Sequence, residues 1–257
     1  MNRPVSYNRL ESKVAVVTGA SNGIGRAIAE SFIAEGGRVV AADIDAAALD
    51  DLAATHRDAL IAVHCDVTDP ASFQSTITHC IQTWGGLDIL VNNVGGDRAQ
   101  KLVDIEPDRW RRAISRNLDS AFYGIKYASP ALADSGGGAI VNVSSVASRR
   151  PSEGLAAYSV AKAGVEALTR SAALELRSQH IRVNALIPSL FNTPGAQRSR
   201  QALEHGYGDD LDEYAAYKQA RWGRPEEAAS VAVHLASDEA SFTTGLLYVV
   251  DHGFTLT

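Results

Sequence analysis

Lys13-Val14-Ala15-Val16-Val17-Thr18-Gly19-Ala20-Ser21-Asn22-Gly23-Ile24-Gly25 is the stretch on which the fold turns. Its opening is a short apolar run that stops at a glycine, the mark of a strand buried on both faces. From Ile24 to Glu35 the apolar residues recur at helical spacing until Gly36-Gly37 closes the pattern. A strand, a glycine-rich turn and a helix are therefore expected. Glycines let backbone approach a pyrophosphate closely, and a helix N-terminus offers unpaired N–H groups and a positive dipole end. The spacing over Gly19, Gly23 and Gly25 is G-x-x-x-G-x-G. Gly19 to Gly23 also fits G-x-S-x-G, the turn that carries a hydrolase nucleophile, with Ser21 in that role. Two features favour a dinucleotide: the hydrolase turn belongs mid-sheet whereas this is the first strand, and hydrolysis gives Gly25 and Asp43 no purpose.

The same alternation continues along the chain. Apolar runs at Arg38 to Ala42, Leu60 to Val63, Ile89 to Val91, Ala139 to Val143, Ile181 to Leu186 and Leu246 to Val250 read as strands. Helical patterns lie between them: Ala46 to Thr55, Pro70 to Trp84, Pro107 to about Ala133, and Ala156 to Leu176, with another opening at Pro225. Strands apolar throughout, alternating with helices, predict an α/β fold with a doubly wound parallel sheet covered on both faces. Ligands bind such sheets beyond the carboxyl ends of the strands. Gly19, Asp43, Asp66, Asn92, Ser145 and Pro188 fall there. The alternation breaks at residues 189–224, which are charged and read as a small, partly helical insertion over the site.

The length of 257 residues suits one large α/β domain or two small ones, and a 46% hydrophobic content supplies a sizeable core. A net charge of -6 with no basic block excludes the electrostatic footprint of a nucleic-acid binder. No apolar run approaches membrane-spanning length, and Met1 to Lys13 has no apolar segment of the secretory kind, so a cytoplasmic protein is expected. Cys65 and Cys80 read as reduced and structural, and the histidines show no metal spacing. Asn142-Val143-Ser144 matches a glycosylation sequon by chance, inside a buried strand.

Tyr158 and Lys162 stand four apart on the Ala156 to Leu176 helix and share a face. A tyrosine hydroxyl titrates near ~10 and is a poor base at neutral pH. One cation about 4 Å away contributes ~4 kcal/mol at an effective dielectric of 20, worth ~3 pKa units. Lys162 can thus make Tyr158 a usable acid/base. Asp43, at the end of the second strand, can accept hydrogen bonds from the adenosine ribose and repel a 2′-phosphate. Asn22 adds no positive charge beside the loop, so NAD is expected over NADP. Tyr207, Tyr214, Tyr217 and Trp222 are expected to pack the insertion onto the body, and Arg198 and Arg200 to be solvated.

Together these residues resemble the short-chain dehydrogenase/reductase family, over nearly the whole chain from about Lys13. The resemblance rests on Thr18 to Gly25, on Asn92-Asn93-Val94-Gly95, on Asn117, on Ser145 standing 13 residues before Tyr158, on Lys162, and on Arg182-Val183-Asn184 followed by Pro188. Departures are Ser189 for the usual glycine, Val94 for a usual alanine, and Asp251-His252-Gly253 for Asp-Gly-Gly. The resemblance implies a single Rossmann-type domain spanning residues 1–257, with 189–224 as a substrate lid. It implies an NAD-dependent oxidoreductase acting on a secondary alcohol or its ketone, with Tyr158 as acid/base. Ser145 would hold the substrate oxygen, Lys162 would tune Tyr158 and bind nicotinamide ribose, and Asn117 would hold a relay water. Cofactor contacts are implied for Gly19, Ser21, Asn22, Gly23, Ile24, Gly25, Asp43, Asp66, Val67, Asn93, Gly95, Tyr158, Lys162, Pro188 and Thr193. Substrate contacts are implied for Ser145, Leu155 and Leu190, and no metal. The substrate is expected to be compact, cyclic or otherwise hydrophobic; Arg98, Arg149 and Arg150 read as solvated loop charges, the alternative being that one of them grips a substrate carboxylate. A homotetramer is expected, pairing the two long helices through positions such as Ala121, Phe122, Ala167 and Leu168. The rival is a catalytically silent dinucleotide-sensing or scaffold protein on the same fold; the complete set of Asn117, Ser145, Tyr158 and Lys162 argues against it.

Overall fold

The structure is a computed structural model that describes residues 8–56, 58–198, 200, 204 and 210–256. Strands β1 (Val14–Thr18), β2 (Arg38–Asp43), β3 (Leu60–His64), β4 (Ile89–Asn92), β5 (Gly138–Val143), β6 (Ile181–Pro188) and β7 (Leu247–Val250) form one sheet in the order β3-β2-β1-β4-β5-β6-β7. Every pairing is parallel. The helices are α1 (Gly23–Ala34), α2 (Ala46–Thr55), α3 (Pro70–Trp84), α4 (Pro107–Ile114), α5 (Ser120–Asp134), α6 (Ala156–Leu176), α7 (Pro194–Arg198), α8 (Leu211–Gln219) and α9 (Pro225–Ala236).

Alternate residues of each strand feed opposite faces of the sheet. Ala15, Val17, Val39, Ala41, Val91 and Val141 join a core with Ile28 and Phe32 of α1 and Ala229, Ala232 and Val233 of α9. Val14, Val16, Val40, Leu90, Ile140 and Val183 join a second core with Phe73 and Ile77 of α3 and Ala128 and Leu132 of α5. Each large side chain buried this way contributes about 1.5–3 kcal/mol, which is why the strands carry no polar face. Helix ends follow the local chemistry. Asp69 accepts from the Ala71 N–H at 3.0 Å with Pro70 at the first helical position, and Gly85 closes α3 in the left-handed conformation. Arg182 on β6 donates to the carbonyls of Leu235, Ala236 and Ser237, capping the C-terminus of α9. Asn184 accepts from the Leu246 N–H at 3.0 Å and donates to the Thr243 carbonyl at 2.9 Å, fixing the turn into β7. The Arg182-Val183-Asn184 motif is thus framework.

Three expectations are corrected here. The long helix from Pro107 is two helices joined by a π-helical turn over Ser115–Asp119, the turn that carries Asn117. The extra residue in that turn swings Asn117 inward, where it is 1% exposed. Strand β1, first in sequence, is interior in space, flanked by β2 and β4, so the argument that the hydrolase turn would be misplaced falls. Finally, Ala121 is buried within the fold and Leu168 packs against its core, so neither is free for a subunit contact, whereas Phe122 and Ala167 are exposed.

Within the insertion, Trp222 and Tyr214 pack against a small cluster of Val146, Ile187, Leu190, Leu211, Ala215 and Phe254. Tyr217 is 78% exposed and packs nothing onto the body; Tyr207 and the Arg198 side chain lie outside the described residues. Arg200 is paired with Glu204 at 2.7 Å and with Asp212 at 2.8 Å, rather than solvated alone. No helix among the described residues is long and apolar enough to cross a membrane.

Candidate active site

The glycine loop is shaped by close packing. Gly19 and Gly23 have φ of 66° and 58°, the left-handed region that favours glycine. Gly25 sits so tightly under the turn that a Cβ there would lie 2.1 Å from the Gly19 carbonyl oxygen. A Cβ on Gly23 would meet Thr193 at 3.2 Å, so the start of the insertion closes over the loop. The Asn93 amide donates to the Thr18 and Gly19 carbonyls at 3.0 and 3.2 Å, and its N–H to Thr18 Oγ1 at 3.1 Å. Asn93 therefore fixes the turn from behind. At the other side of the turn, Asn22 is the N-cap of α1 without a side-chain cap, and the first turn carries no acid. Those N–H groups at a positive dipole end fit a pyrophosphate.

Asp43 lies against the same turn. Its Oδ2 accepts from the Ser21 N–H at 3.1 Å and the Ser21 hydroxyl at 2.7 Å, while Oδ1 accepts from the Asp45 N–H at 3.1 Å. The Ser21 hydroxyl is engaged by Asp43 and only 2% exposed, which leaves it no access to a substrate as a nucleophile. Asp66 follows β3, and the Thr68 hydroxyl and N–H hold its carboxyl below the usual range. Val67 beside it is buried. The donors, carboxylates and close-packed glycines fit a nicotinamide dinucleotide along the carboxyl ends of β1 to β3. The site would take adenosine between Asp43, Asp66 and Val67, with Ile24 in the first turn beneath the phosphates.

The residues expected to be catalytic lie where β4, β5 and α6 meet. Lys162 is 2% exposed, and its ammonium donates to the Val143 carbonyl at 2.7 Å. It stands 5.8 Å from the centre of the Tyr158 ring. Burial pushes the Lys162 pKa down to about 8. Gly95 makes room for it: a Cβ there would lie 2.7 Å from Lys162 Nζ and 2.9 Å from Asn117 Oδ1. Asn117 in turn accepts from the Gly96 N–H at 2.8 Å and donates to the carbonyls of Gly96 and Ala113 at 3.1 and 2.8 Å. Its amide pins the loop after β4 to the π-helical turn. Ser145 lies in the turn after β5, and its Oγ accepts from the Ala147 N–H at 3.2 Å. Ser144 points the opposite way, donating to the Lys162 carbonyl at 3.0 Å. The structure thus brings Asn117, Lys162 and Gly95 together, with the Tyr158 ring beside Lys162, Ser145 two residues beyond the Val143 carbonyl that Lys162 holds, and Pro188 at the end of β6. Leu155, at the N-cap of α6, and Leu190, packed against Val146 in the turn after β5, are each 7% exposed.

Several working residues gave no signal in the sequence. Arg149 lies 3.4 Å from the buried carboxylate of Glu166, and Arg150 donates to the Thr255 carbonyl at 2.9 Å. All three are exposed, but Arg149 and Arg150 are engaged by partners, which leaves Arg98 as the arginine able to meet a carboxylate. Arg109 pairs with Asp97 at 3.4 Å and holds the loop that carries Arg98. Gln219 of α8 is buried and clasps Leu190, accepting from its N–H at 3.3 Å and donating to its carbonyl at 2.8 Å. A buried chain runs from Asn92 through Asn142 to Thr169, each step at 2.9 Å, so the sequon asparagine is a core residue. Cys65 and Cys80 are free and buried, and burial pushes the Cys80 thiol up to about 12.

Comparison with known proteins agrees with this geometry. The family described as Enoyl-(Acyl carrier protein) reductase matches residues 19–255. A 2-keto-3-deoxy-L-fuconate dehydrogenase of Xanthomonas campestris pv. campestris is 37% identical over 96% of this chain and 81% of its own length. A cyclohexanol dehydrogenase of Acinetobacter sp. is 34% identical over 98% of each chain. A crystal structure from Burkholderia xenovorans, described as a short-chain dehydrogenase/reductase, superposes with a TM-score of 0.88 at 36% identity, covering 97% of this chain and 98% of that one. The chain belongs to the short-chain dehydrogenase/reductase family.

The buried Lys162 ammonium has a measurable cost. A folded-state value near 8 against 10.5 means that the charged form destabilises the fold fully below pH 8. The penalty fades as pH rises from 8 to 10.5, where the unfolded chain still binds the proton. Lys162→Met is expected to raise the stability of the ligand-free protein at pH 7 by at most about 3 kcal/mol, read as a higher Tm of several degrees. The gap should close by pH 10.5; thermal melts of both proteins across that range check it.

Proposed function

We propose that this chain is an NAD-dependent oxidoreductase that moves a hydride between nicotinamide and a secondary alcohol or its ketone. The observation that carries the reading is the buried Lys162 ammonium, wedged between the Val143 carbonyl and the Tyr158 ring beside the Ser145 turn. Bound nicotinamide supplies the hydride acceptor or donor; the protein's side chains do the rest. In the oxidative direction Tyr158 takes the hydroxyl proton while Ser145 holds the same oxygen by a hydrogen bond. Lys162 favours the Tyr158 phenolate through its charge, and Asn117 holds the loop against which Lys162 is packed. Its expected part in a water relay fits its place beside Lys162.

The substrate is a compact, cyclic or otherwise hydrophobic alcohol. Apolar Leu155 and Leu190, near Tyr158 and the Ser145 turn in sequence or packing, support this, as does likeness to a relative named for cyclohexanol. An acidic substrate would be met by Arg98, since Arg149 and Arg150 have other partners. Residues 189–224 serve as the lid over this pocket, its described exit strap tied down through Gln219. The buried free thiols suit a reducing cytoplasm.

Tyr158→Phe removes only the titrating hydroxyl, and loss of general acid/base catalysis costs about 10²–10⁴-fold. That loss should fall on kcat in an alcohol-oxidation assay and spare NADH binding; near-normal turnover would sink the mechanism. NADP is expected to be the poorer cofactor, because its 2′-phosphate would face Asp43 with no cation at Asn22. Measured kcat/KM for the two cofactors should favour NAD, and Asp43→Ala should weaken NAD use while narrowing the difference. Equal use of NADP by the natural protein contradicts this.

The assembly is a homotetramer. Phe122 on α5 and Val160, Ala167 and Leu174 on α6 give these helices an apolar outer face, with Val160 50% and Leu174 65% exposed. Leu246, Tyr248 and Phe242 around β7 offer a second face. Light scattering at micromolar concentration should give about four times the 27.3 kDa chain mass, and a monomer would refute it.

A further inference from the structure

Glu166 is a buried carboxylate, 7% exposed, for which the chemistry above has no use. It stands on α6 one helical turn beyond Lys162 and two beyond Tyr158, on the same face. Its partners all come from the turn that carries Ser145. Oε1 lies closely against the Ser148 hydroxyl, which also reaches the Ser145 carbonyl at 2.6 Å, and 3.4 Å from the Ser144 Oγ, whose proton goes to the Lys162 carbonyl. Oε2 faces Arg149, with Nε at 3.4 Å and Nη2 at 3.5 Å. Ser148 and Arg149 are therefore gathered onto one carboxylate, while the Ser145 Oγ accepts from the Ala147 N–H.

Ser145 and Tyr158 must reach the same substrate oxygen from two different elements. Their separation is fixed by whatever ties the β5 turn to α6. Three ties are present: Lys162 Nζ to the Val143 carbonyl, Ser144 Oγ to the Lys162 carbonyl, and the Glu166 cluster. The first two hold the strand end before Ser145. The Glu166 cluster holds the turn after it to α6. We propose that Glu166 is a positioning residue, which sets the Ser145 hydroxyl against Tyr158 by clamping Ser148 and Arg149 onto the catalytic helix. The assignment rests on the reading of Ser145 and Tyr158 given above. A misplacement of about 1 Å costs up to ~10²-fold in rate, so the effect belongs in kcat.

The test is a double-mutant cycle on the intact protein with an alcohol and NAD. Glu166→Gln keeps the shape, removes the charge, and turns an amide toward Arg149 or the serines. It should lower kcat by about 10-fold or more while KM and NADH affinity, read by fluorescence titration, change less than about 3-fold. Glu166→Asp should recover part of the loss. In a Ser145→Ala background, Glu166→Gln should cost less than about 2-fold, because the group it positions is gone. Ser148→Ala repeats the test from the turn side and covers a Glu166 variant that fails to fold. Full multiplication of the two losses, or near-normal kcat in Glu166→Gln, would overturn the assignment. Near-normal turnover in Ser145→Ala and Tyr158→Phe alone would instead bring down the underlying mechanism, and this assignment with it.

Discussion

A lysine ammonium buried beyond the end of a parallel sheet is the constraint from which the site's architecture follows. An isolated charge cannot sit in an apolar core without partners. Here the Val143 carbonyl supplies one, because β5 ends where α6 begins its second turn. Gly95 supplies the space, and Asn117, swung inward by a π-helical turn, walls the far side. Four separate segments thus converge on one nitrogen. The depressed affinity of that nitrogen for its proton is the residue of an incomplete compensation, and a negative group nearby, such as a phenolate, is what the site is short of.

The second organising feature is division of labour among look-alike polar residues. Asn92 and Asn93 are neighbours, yet one enters a buried chain with Asn142 and Thr169 while the other holds the glycine turn. Ser144 and Ser145 divide similarly between helix and turn. Strand alternation enforces the split, since successive side chains leave opposite faces. On the core side Asn142 and Thr169 are spent on framework.

Most of the fold was legible because a parallel sheet leaves a simple trace. Its strands are apolar on both faces, its turns end in Gly, Asp or Asn, and helices open at Pro70, Pro107 and Pro225. The motif residues were legible for the same reason: Gly19, Asp43, Ser145 and Pro188 stand at strand ends, and Tyr158 and Lys162 share a helix face. What could not be read was the pairing of residues far apart in sequence. Nothing in Glu166, Gln219 or Arg109 distinguishes a buried clamp from a solvated charge until the partner is placed. The π-helical turn was invisible too, because its sequence, Ser115-Arg116-Asn117-Leu118-Asp119, is compatible with ordinary helix. The position of β1 was misjudged for a topological reason: sequence gives the order of synthesis, and the sheet's order places the first strand inside.

That interior position has a consequence for how the chain is made. Strand β1 must pair with β2 on one edge and with β4 on the other. β2 follows soon after β1, but β4 begins only at Ile89. At translation rates of about 5–20 residues per second, the β4-facing edge of β1 stays open for several seconds at least. During that time the nascent chain presents an apolar, unpaired parallel edge, the kind of surface that recruits foreign strands. The first half of this protein therefore emerges as an unfinished surface, and β4, carrying Asn92 and leading into Asn93, covers the open edge of β1 and locks the glycine turn in the same stroke.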